Sequence, residues 1–65
     1  MRILVNGDWR ETVATELASV LAELGYGDAV VATAVNGDFV ASAARSHTSL
    51  ADGDRVEVLA PMQGG

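Results

Sequence analysis

The sequence contains no cysteine, no lysine, a single histidine and a single proline among its 65 residues. Without cysteine the fold has no disulfide, and His47 alone cannot supply the ligands of a structural zinc site. Without lysine there is no P-loop lysine to hold a phosphate, and no ε-amine to receive an isopeptide bond. If the protein is joined covalently to another molecule, the bond is therefore expected at the C-terminus or at the α-amino group.

Positive charge and long apolar segments are also scarce. Nine acidic residues outweigh four arginines, giving a formal net charge of -5, which repels the phosphate backbone of nucleic acids. No apolar segment is long enough to span a bilayer, and the apolar start of the chain is too short for a signal peptide. We therefore expect one cytoplasmic domain with no nucleic-acid or membrane partner, too small for a cleft between two lobes.

The first half of the chain predicts a β-hairpin followed by a helix. Asn6-Gly7 lies between apolar segments and suits a tight two-residue turn, so strands are expected at about residues 1–6 and 8–12. The helix is expected to begin after Thr12, as its N-cap, and to end at Gly25, which suits a left-handed conformation. Its apolar stripe has helical spacing and consists of Val13, Leu17, Val20, Leu21 and Leu24.

The second half predicts three further strands. Residues 30–35 are rich in β-branched side chains, and Asn36-Gly37 forms a second hairpin turn into a short strand at residues 39–41. Residues 42–49 are small and polar without a clear period, which predicts a loop with one helical turn, anchored by Leu50. The last strand, residues 55–60, alternates apolar and charged side chains and is closed by Pro61.

This order of elements predicts an α+β fold, in which one main helix packs on one face of a mixed sheet of about five strands. With both hairpins local, the last strand is expected to pair in parallel with the first. Such an order resembles the β-grasp fold of ubiquitin-like proteins. The two Asn-Gly turns are interpreted as shared turn chemistry and not as an internal repeat.

The chain ends on Gly64-Gly65. Residues without a Cβ atom fit channels that exclude other side chains, so this end suits insertion into another protein. The terminal carboxylate becomes the candidate reactive group, and residues 61–65 reach about 16 to 18 Å when fully extended. We expect a β-grasp domain at residues 1–60, followed by a flexible tail at residues 61–65.

Leu50, the segment from Asp52 to Val58 and the tail from Pro61 to Gly65 resemble the bacterial sulfur carriers of thiamin biosynthesis, the ThiS family. The resemblance implies that Gly65 is adenylated, with ATP and magnesium, by a ThiF-like adenylyltransferase similar to ubiquitin-activating enzymes. The acyl adenylate then receives sulfur from a donor such as a cysteine desulfurase and becomes a thiocarboxylate. A ThiG-like thiazole synthase is the recipient of that sulfur.

The same resemblance assigns roles to the tail residues. Gly65 carries the reacting carbonyl, Gly64 gives access to it, and Met62 and Gln63 form the neck of the tail. A C-terminal carboxylate is an anion at neutral pH and a poor target for nucleophiles, so it needs activation by a partner. The chain itself is expected to bind no cofactor or metal and to contain no catalytic residue, which makes it a protein co-substrate and not an enzyme.

Strand parity predicts a docking face. If the alternating apolar residues of the first and last strands face the helix, Leu4 and Leu59 face the other way. We expect them to form an exposed apolar pair on adjacent strands near the tail, and they are the candidate docking residues.

The other conspicuous residues are assigned structural roles. His47 is expected to be solvated, the aromatic residues to pack in the core and hairpins, and the carboxylates beside Gly53 to form a turn and not a metal site. The aromatics are Trp9, Tyr26 and Phe39, and the carboxylates are Asp52 and Asp54.

Two alternative functions remain open. The small subunit of molybdopterin synthase has the same fold and tail chemistry, with another sulfur acceptor. A ubiquitin-like binding module would instead have an inert tail.

Overall fold

The first hairpin has the two-residue turn that its sequence predicts. In the computed structural model, which describes residues 1–27 and 29–60, β1 (Arg2–Val5) and β2 (Asp8–Glu11) pair antiparallel. Asn6 and Gly7 join them with φ angles of 49° and 87°. These left-handed angles are accessible to asparagine and glycine and strained for most other residues.

The second hairpin repeats this geometry. β3 (Ala32–Val35) and β4 (Asp38–Val40) pair antiparallel, and Asn36 and Gly37 join them with φ angles of 51° and 88°. Both predicted hairpins are therefore confirmed.

The last strand, β5 (Arg55–Leu59), lies at the centre of the five-stranded sheet, whose order is β2-β1-β5-β3-β4. It runs parallel to β1, as predicted, and antiparallel to β3, a pairing that the sequence patterns did not predict. Val56 lies opposite Val5 on one side and Val35 on the other. The two hairpins thus meet at the same position of β5.

The helix, α1 (Leu17–Glu23), is shorter than predicted, and the expected start at Thr12 is wrong. The backbone at its start is paired with a distant loop, because Leu17 N–H donates a hydrogen bond to the Thr48 carbonyl at 2.9 Å. Glu16 occupies the N-cap position, and its side chain accepts from the Ser19 hydroxyl at 3.2 Å but caps no backbone N–H of the helix. Long-range pairing, not a local cap, therefore decides where the helix begins.

Thr12 and Val13 belong to the connection between β2 and α1. The Thr12 side chain is buried, and its hydroxyl accepts a hydrogen bond from Ala14 N–H at 3.0 Å. Val13, predicted to lie in the buried stripe, is 91% exposed. The stripe therefore begins at Leu17.

The end of α1 confirms the role predicted for Gly25. This glycine has a φ angle of +91°, and its N–H donates to the Ala22 carbonyl. The following N–H, of Tyr26, donates to the Leu21 carbonyl at 2.9 Å. Such bonds satisfy carbonyls that the last turn of a helix leaves free.

The core lies between α1 and the inner face of the sheet, which is the face in contact with the helix. Alternating apolar residues of β1 and β5 point into it, as strand parity predicts. Leu50 is buried there and anchors its loop as expected. The buried apolar residues are Ile3, Val5, Leu17, Val20, Leu21, Val40, Leu50, Val56 and Val58.

Residues 42–49 include the helical turn that was predicted, as a short 3-10 helix at Ser42–His47. Arg45 fixes it to the sheet: its Nε donates to the Thr33 hydroxyl at 3.0 Å, and its Nη2 donates to the Val31 carbonyl at 2.6 Å.

None of the helices in residues 1–27 and 29–60 has the length and apolar character needed to cross a membrane.

Candidate functional site

The predicted reactive end of the chain follows the central strand of the sheet. β5 ends at Leu59, and Ala60 is the last described residue. Met62, Gln63, Gly64 and Gly65, the predicted neck and sulfur-attachment residues, lie outside the described residues. The site that the structure does describe is therefore the end of β5 and the sheet face around it.

Two asparagine side chains hold β5, one near each end. Asn6 accepts a hydrogen bond from Val58 N–H at 2.8 Å and donates to the Val58 carbonyl at 3.1 Å. Asn36 accepts from Arg55 N–H at 3.0 Å and donates to the Asp54 carboxylate at 3.0 Å. The asparagines of the two hairpin turns therefore stabilise the central strand as well as their own turns.

An apolar patch lies beside the end of β5 on the outer face, the face of the sheet away from α1. Leu59 is 72% exposed and lies opposite Ala32, and Phe39 is 73% exposed and lies opposite Ala34. We name Ala32, Ala34, Phe39 and Leu59 the outer patch. A shallow groove formed by Val30, Val31, Ala32, Leu59 and Ala60 adjoins it.

The expected adjacent pair of Leu4 and Leu59 is wrong. Leu4 does face outward, but it lies opposite Arg55 on β5 and Trp9 on β2, and it is half-buried. Leu59 is four residues further along β5 than Arg55, a separation of about 13 Å at 3.3 Å per residue. The apolar residue opposite Leu59 is instead Ala32 of β3.

Two of the three aromatic residues are exposed, so the expectation of core packing is wrong for Trp9 and Phe39, whereas Trp9 does pack on its own hairpin. Trp9 is 51% exposed and Phe39 is 73% exposed, and both lie on the outer face. The Arg2 guanidinium carbon lies 4.5 Å from the centre of the Trp9 ring, in a cation–π contact. Only Tyr26 is partly buried against the core.

The comparisons with known proteins agree with this architecture. The family model for ThiS matches residues 3–65 of the chain, including the terminal Gly64-Gly65.

The chain belongs to the ThiS family.

Its fold matches the crystal structure of a thiamine biosynthesis protein (ThiS) from Geobacter metallireducens, with a TM-score of 0.83, 30% identity and coverage of 100% of both chains. A solution NMR structure of a thiamine biosynthesis protein from the same organism matches with a TM-score of 0.79 and 29% identity. That match covers 100% of this chain and 88% of the other. Among curated proteins, none matches this chain.

The family and the fold confirm two of the main predictions. The β-grasp arrangement of five strands and one main helix is the arrangement of the matching ThiS structures. Members of the ThiS family are sulfur carrier proteins and not enzymes, as expected for this chain.

Charge is distributed unevenly over this ThiS-family chain. The strand register and side-chain alternation put Arg2, Arg55, Glu11 and Glu57 on the outer face, where their charges cancel. The rest of the chain has two arginines and seven acidic residues and therefore carries the whole net charge of -5. The outer face thus has no net charge, and its exposed apolar side chains lie among two arginines and two glutamates.

The acidic turn before β5 has a structural role, as predicted. Asp52 accepts a hydrogen bond from Arg2 N–H at 2.8 Å, and Asp54 accepts one from Ala51 N–H at 2.8 Å.

The His47 side chain is exposed to solvent. Within residues 1–27 and 29–60, no three acidic, histidine or cysteine side chains are grouped so as to hold a metal ion.

Proposed function

We propose that this chain carries sulfur on Gly65 as a thiocarboxylate, in the cytoplasm, and delivers it for the thiazole ring of thiamin. The observation that supports this most strongly is the ThiS-family match, which extends through Gly64-Gly65. As a ThiS-family sulfur carrier the chain serves thiamine biosynthesis. The chemistry proposed at its C-terminus is the activation that a carboxylate needs before sulfur can be attached to its carbonyl carbon.

A carboxylate at neutral pH is too poor an electrophile to accept sulfur directly. A ThiF-like adenylyltransferase therefore uses ATP and magnesium to join the Gly65 carboxylate to AMP, with release of pyrophosphate. The persulfide of a donor such as a cysteine desulfurase then displaces AMP to give an acyl disulfide. A thiol reductant cleaves the S–S bond and is itself oxidised to a disulfide, which leaves the thiocarboxylate from which a ThiG-like thiazole synthase takes the sulfur. Gly64 gives access to the reacting carbonyl, and Met62 and Gln63 form the neck.

The domain docks on these partners through its outer face. Leu59 is exposed at the end of β5 and Phe39 is exposed two strands away on the same face, so a partner that covers Leu59 also receives the residues that follow Ala60. Leu4 contributes to the same face further from the tail, between Trp9 and Arg55. Interface cores are enriched in aromatic residues and depleted in charged ones, so exposed Leu59, Phe39 and Trp9 are the candidate core of this interface.

Intact mass spectrometry tests the function. After incubation with the adenylyltransferase, ATP and the sulfur donor, the chain is expected to gain the difference in mass between sulfur and oxygen. A ubiquitin-like module with an inert tail would keep its mass. The thiocarboxylate is then offered separately to thiazole synthase and to the large subunit of molybdopterin synthase, and sulfur transfer to the first alone supports the thiamin assignment.

A further inference from the structure

The hydrogen bonds between β1 and β5 stop short of the end of β5. Leu4 N–H donates to the Asp54 carbonyl at 2.9 Å, and Asn6 N–H donates to the Val56 carbonyl at 3.0 Å, so the bonds fall on every second residue of β5. After Asn6 the chain turns into β2. The next position on this edge of β5, Val58, therefore lies beyond the backbone pairing with β1.

The Asn6 side chain takes the place of the missing strand residue. A primary amide has one carbonyl acceptor and an N–H donor, as a peptide group has. Its Oδ1 accepts from Val58 N–H at 2.8 Å, and its Nδ2 donates to the Val58 carbonyl at 3.1 Å. Both backbone groups of Val58 on this edge are thereby bonded, two residues before Ala60.

We propose that Asn6 is a positioning residue for the reaction at the C-terminus. By holding Val58 from the β1 side while β3 pairs with it from the other side, Asn6 keeps the end of β5 in the sheet. A fixed strand end limits the directions from which the tail enters a partner's active site. Without this side chain, a partner has to order the strand end as it binds, at a cost in conformational entropy. This inference rests on the proposed function.

Asn36 provides a matched control within the same chain. It precedes a glycine in an equivalent turn, with a φ of 51° against 49° for Asn6. Its side chain also makes two hydrogen bonds at β5, but to Arg55 and Asp54, at the end that is further from the tail. Loss of either asparagine side chain weakens β5, and only loss of Asn6 releases its C-terminal end.

The test compares Asn6→Gly with Asn36→Gly, because glycine accepts the positive φ angle and removes only the side-chain bonds. Adenylation is measured as ATP–pyrophosphate exchange by the adenylyltransferase, at a temperature at which circular dichroism shows every variant to be folded. We expect kcat/KM for Asn6→Gly to fall about five-fold, the factor that one net hydrogen bond contributes to an equilibrium. Asn36→Gly is expected to lower Tm similarly and to leave kcat/KM within about two-fold of wild type.

Amide hydrogen exchange of Val58 provides a readout that does not depend on the partner. Its N–H is expected to lose protection in Asn6→Gly and to keep it in Asn36→Gly. Equal losses of kcat/KM in the two variants, or none in Asn6→Gly, would overturn the positioning role. If Asn6→Gly does not fold, Asn6→Asp and Asn36→Asp replace the two glycine variants. A loss of kcat/KM in Asn6→Asp that exceeds the loss in Asn36→Asp is then the expected result. Absence of ATP–pyrophosphate exchange with the wild-type chain would contradict the proposed function itself. Failure of the positioning role and failure of the proposed function are therefore distinguishable.

Discussion

Thr33 is a single buried residue that joins three elements of the fold. Its side chain is 2% exposed, and its hydroxyl donates to the Val40 carbonyl at 2.8 Å and accepts from Arg45 Nε at 3.0 Å. Because Arg45 lies in the 3-10 helix, this hydroxyl connects that helix to β3 and β4. A buried polar group stabilises the fold only while its hydrogen bonds are made.

Thr33→Val is therefore expected to destabilise the protein although it preserves the shape of the side chain. The substitution removes the hydroxyl that bonds the Val40 carbonyl and Arg45 Nε, and we expect the free energy of unfolding to fall by about 1–3 kcal/mol. Urea denaturation followed by circular dichroism measures it. The same substitution at the exposed Thr15 is the control, with an expected change within about 0.5 kcal/mol. Equal losses at both positions would exclude the role assigned to the Thr33 hydroxyl.

At the scale of elements, the helix shows what sequence periodicity predicts and what it does not. Leu17, Val20 and Leu21 were assigned to the buried stripe and are buried. Val13 has the same spacing and is exposed, because spacing contains no information about the bond from Leu17 N–H to the Thr48 carbonyl. Such long-range bonds cannot be predicted from local patterns.

Substitutions at Val13 and Leu17 distinguish the observed start of the helix from the predicted one. Leu17 is 0% exposed, so Leu17→Ala is expected to lower the free energy of unfolding by about 2–5 kcal/mol. Val13→Glu is expected to change it by no more than about 0.5 kcal/mol, because the side chain is in solvent. Thermal or urea denaturation of both variants measures this. A large loss in Val13→Glu would mean that the helix begins near Thr12 after all.

The strands were predicted well where turns determine their register. A two-residue turn puts Val5 opposite Asp8, and therefore Trp9 opposite the outward-facing Leu4. The exposure of Trp9 thus follows from the sequence, but the general tendency of aromatic residues to be buried led to the opposite expectation. The pairing of β5 with β3 joins segments that are far apart in sequence, and no turn fixes it.

At the scale of the whole molecule, the exposed apolar side chains and the balance of charge are both found on the proposed docking face. The outer face combines exposed Leu59 and Phe39 with balanced charges, whereas the rest of the chain has the net charge of -5. A partner that binds the outer face therefore avoids desolvating most of the acidic side chains. Burying an unpaired charge in an interface is costly, so this orientation is favoured.

Leu59→Glu is expected to impair adenylation without unfolding the protein. The substituted side chain is exposed in the free carrier and would put a charge into the apolar centre of the docked complex. We expect kcat/KM in the exchange assay to fall by about ten-fold or more, as for a central apolar contact.

Val13→Glu is the matched control for docking, since it adds the same charge at an exposed valine in the loop that precedes α1. It is expected to change kcat/KM by less than about two-fold, as for a contact worth under half a kcal/mol. Equal effects of the two substitutions would indicate that net charge, and not the outer patch, determines binding.

Fragmentation of the intact protein tests most directly whether Gly65 carries the sulfur. The carrier is incubated with adenylyltransferase, ATP and sulfur donor, and the intact protein is then fragmented in the mass spectrometer. We expect oxygen to be replaced by sulfur only in fragments that contain Gly65, only with ATP, and not at all in a chain that lacks Gly65. An unchanged mass, or sulfur retained when Gly65 is deleted, would contradict it.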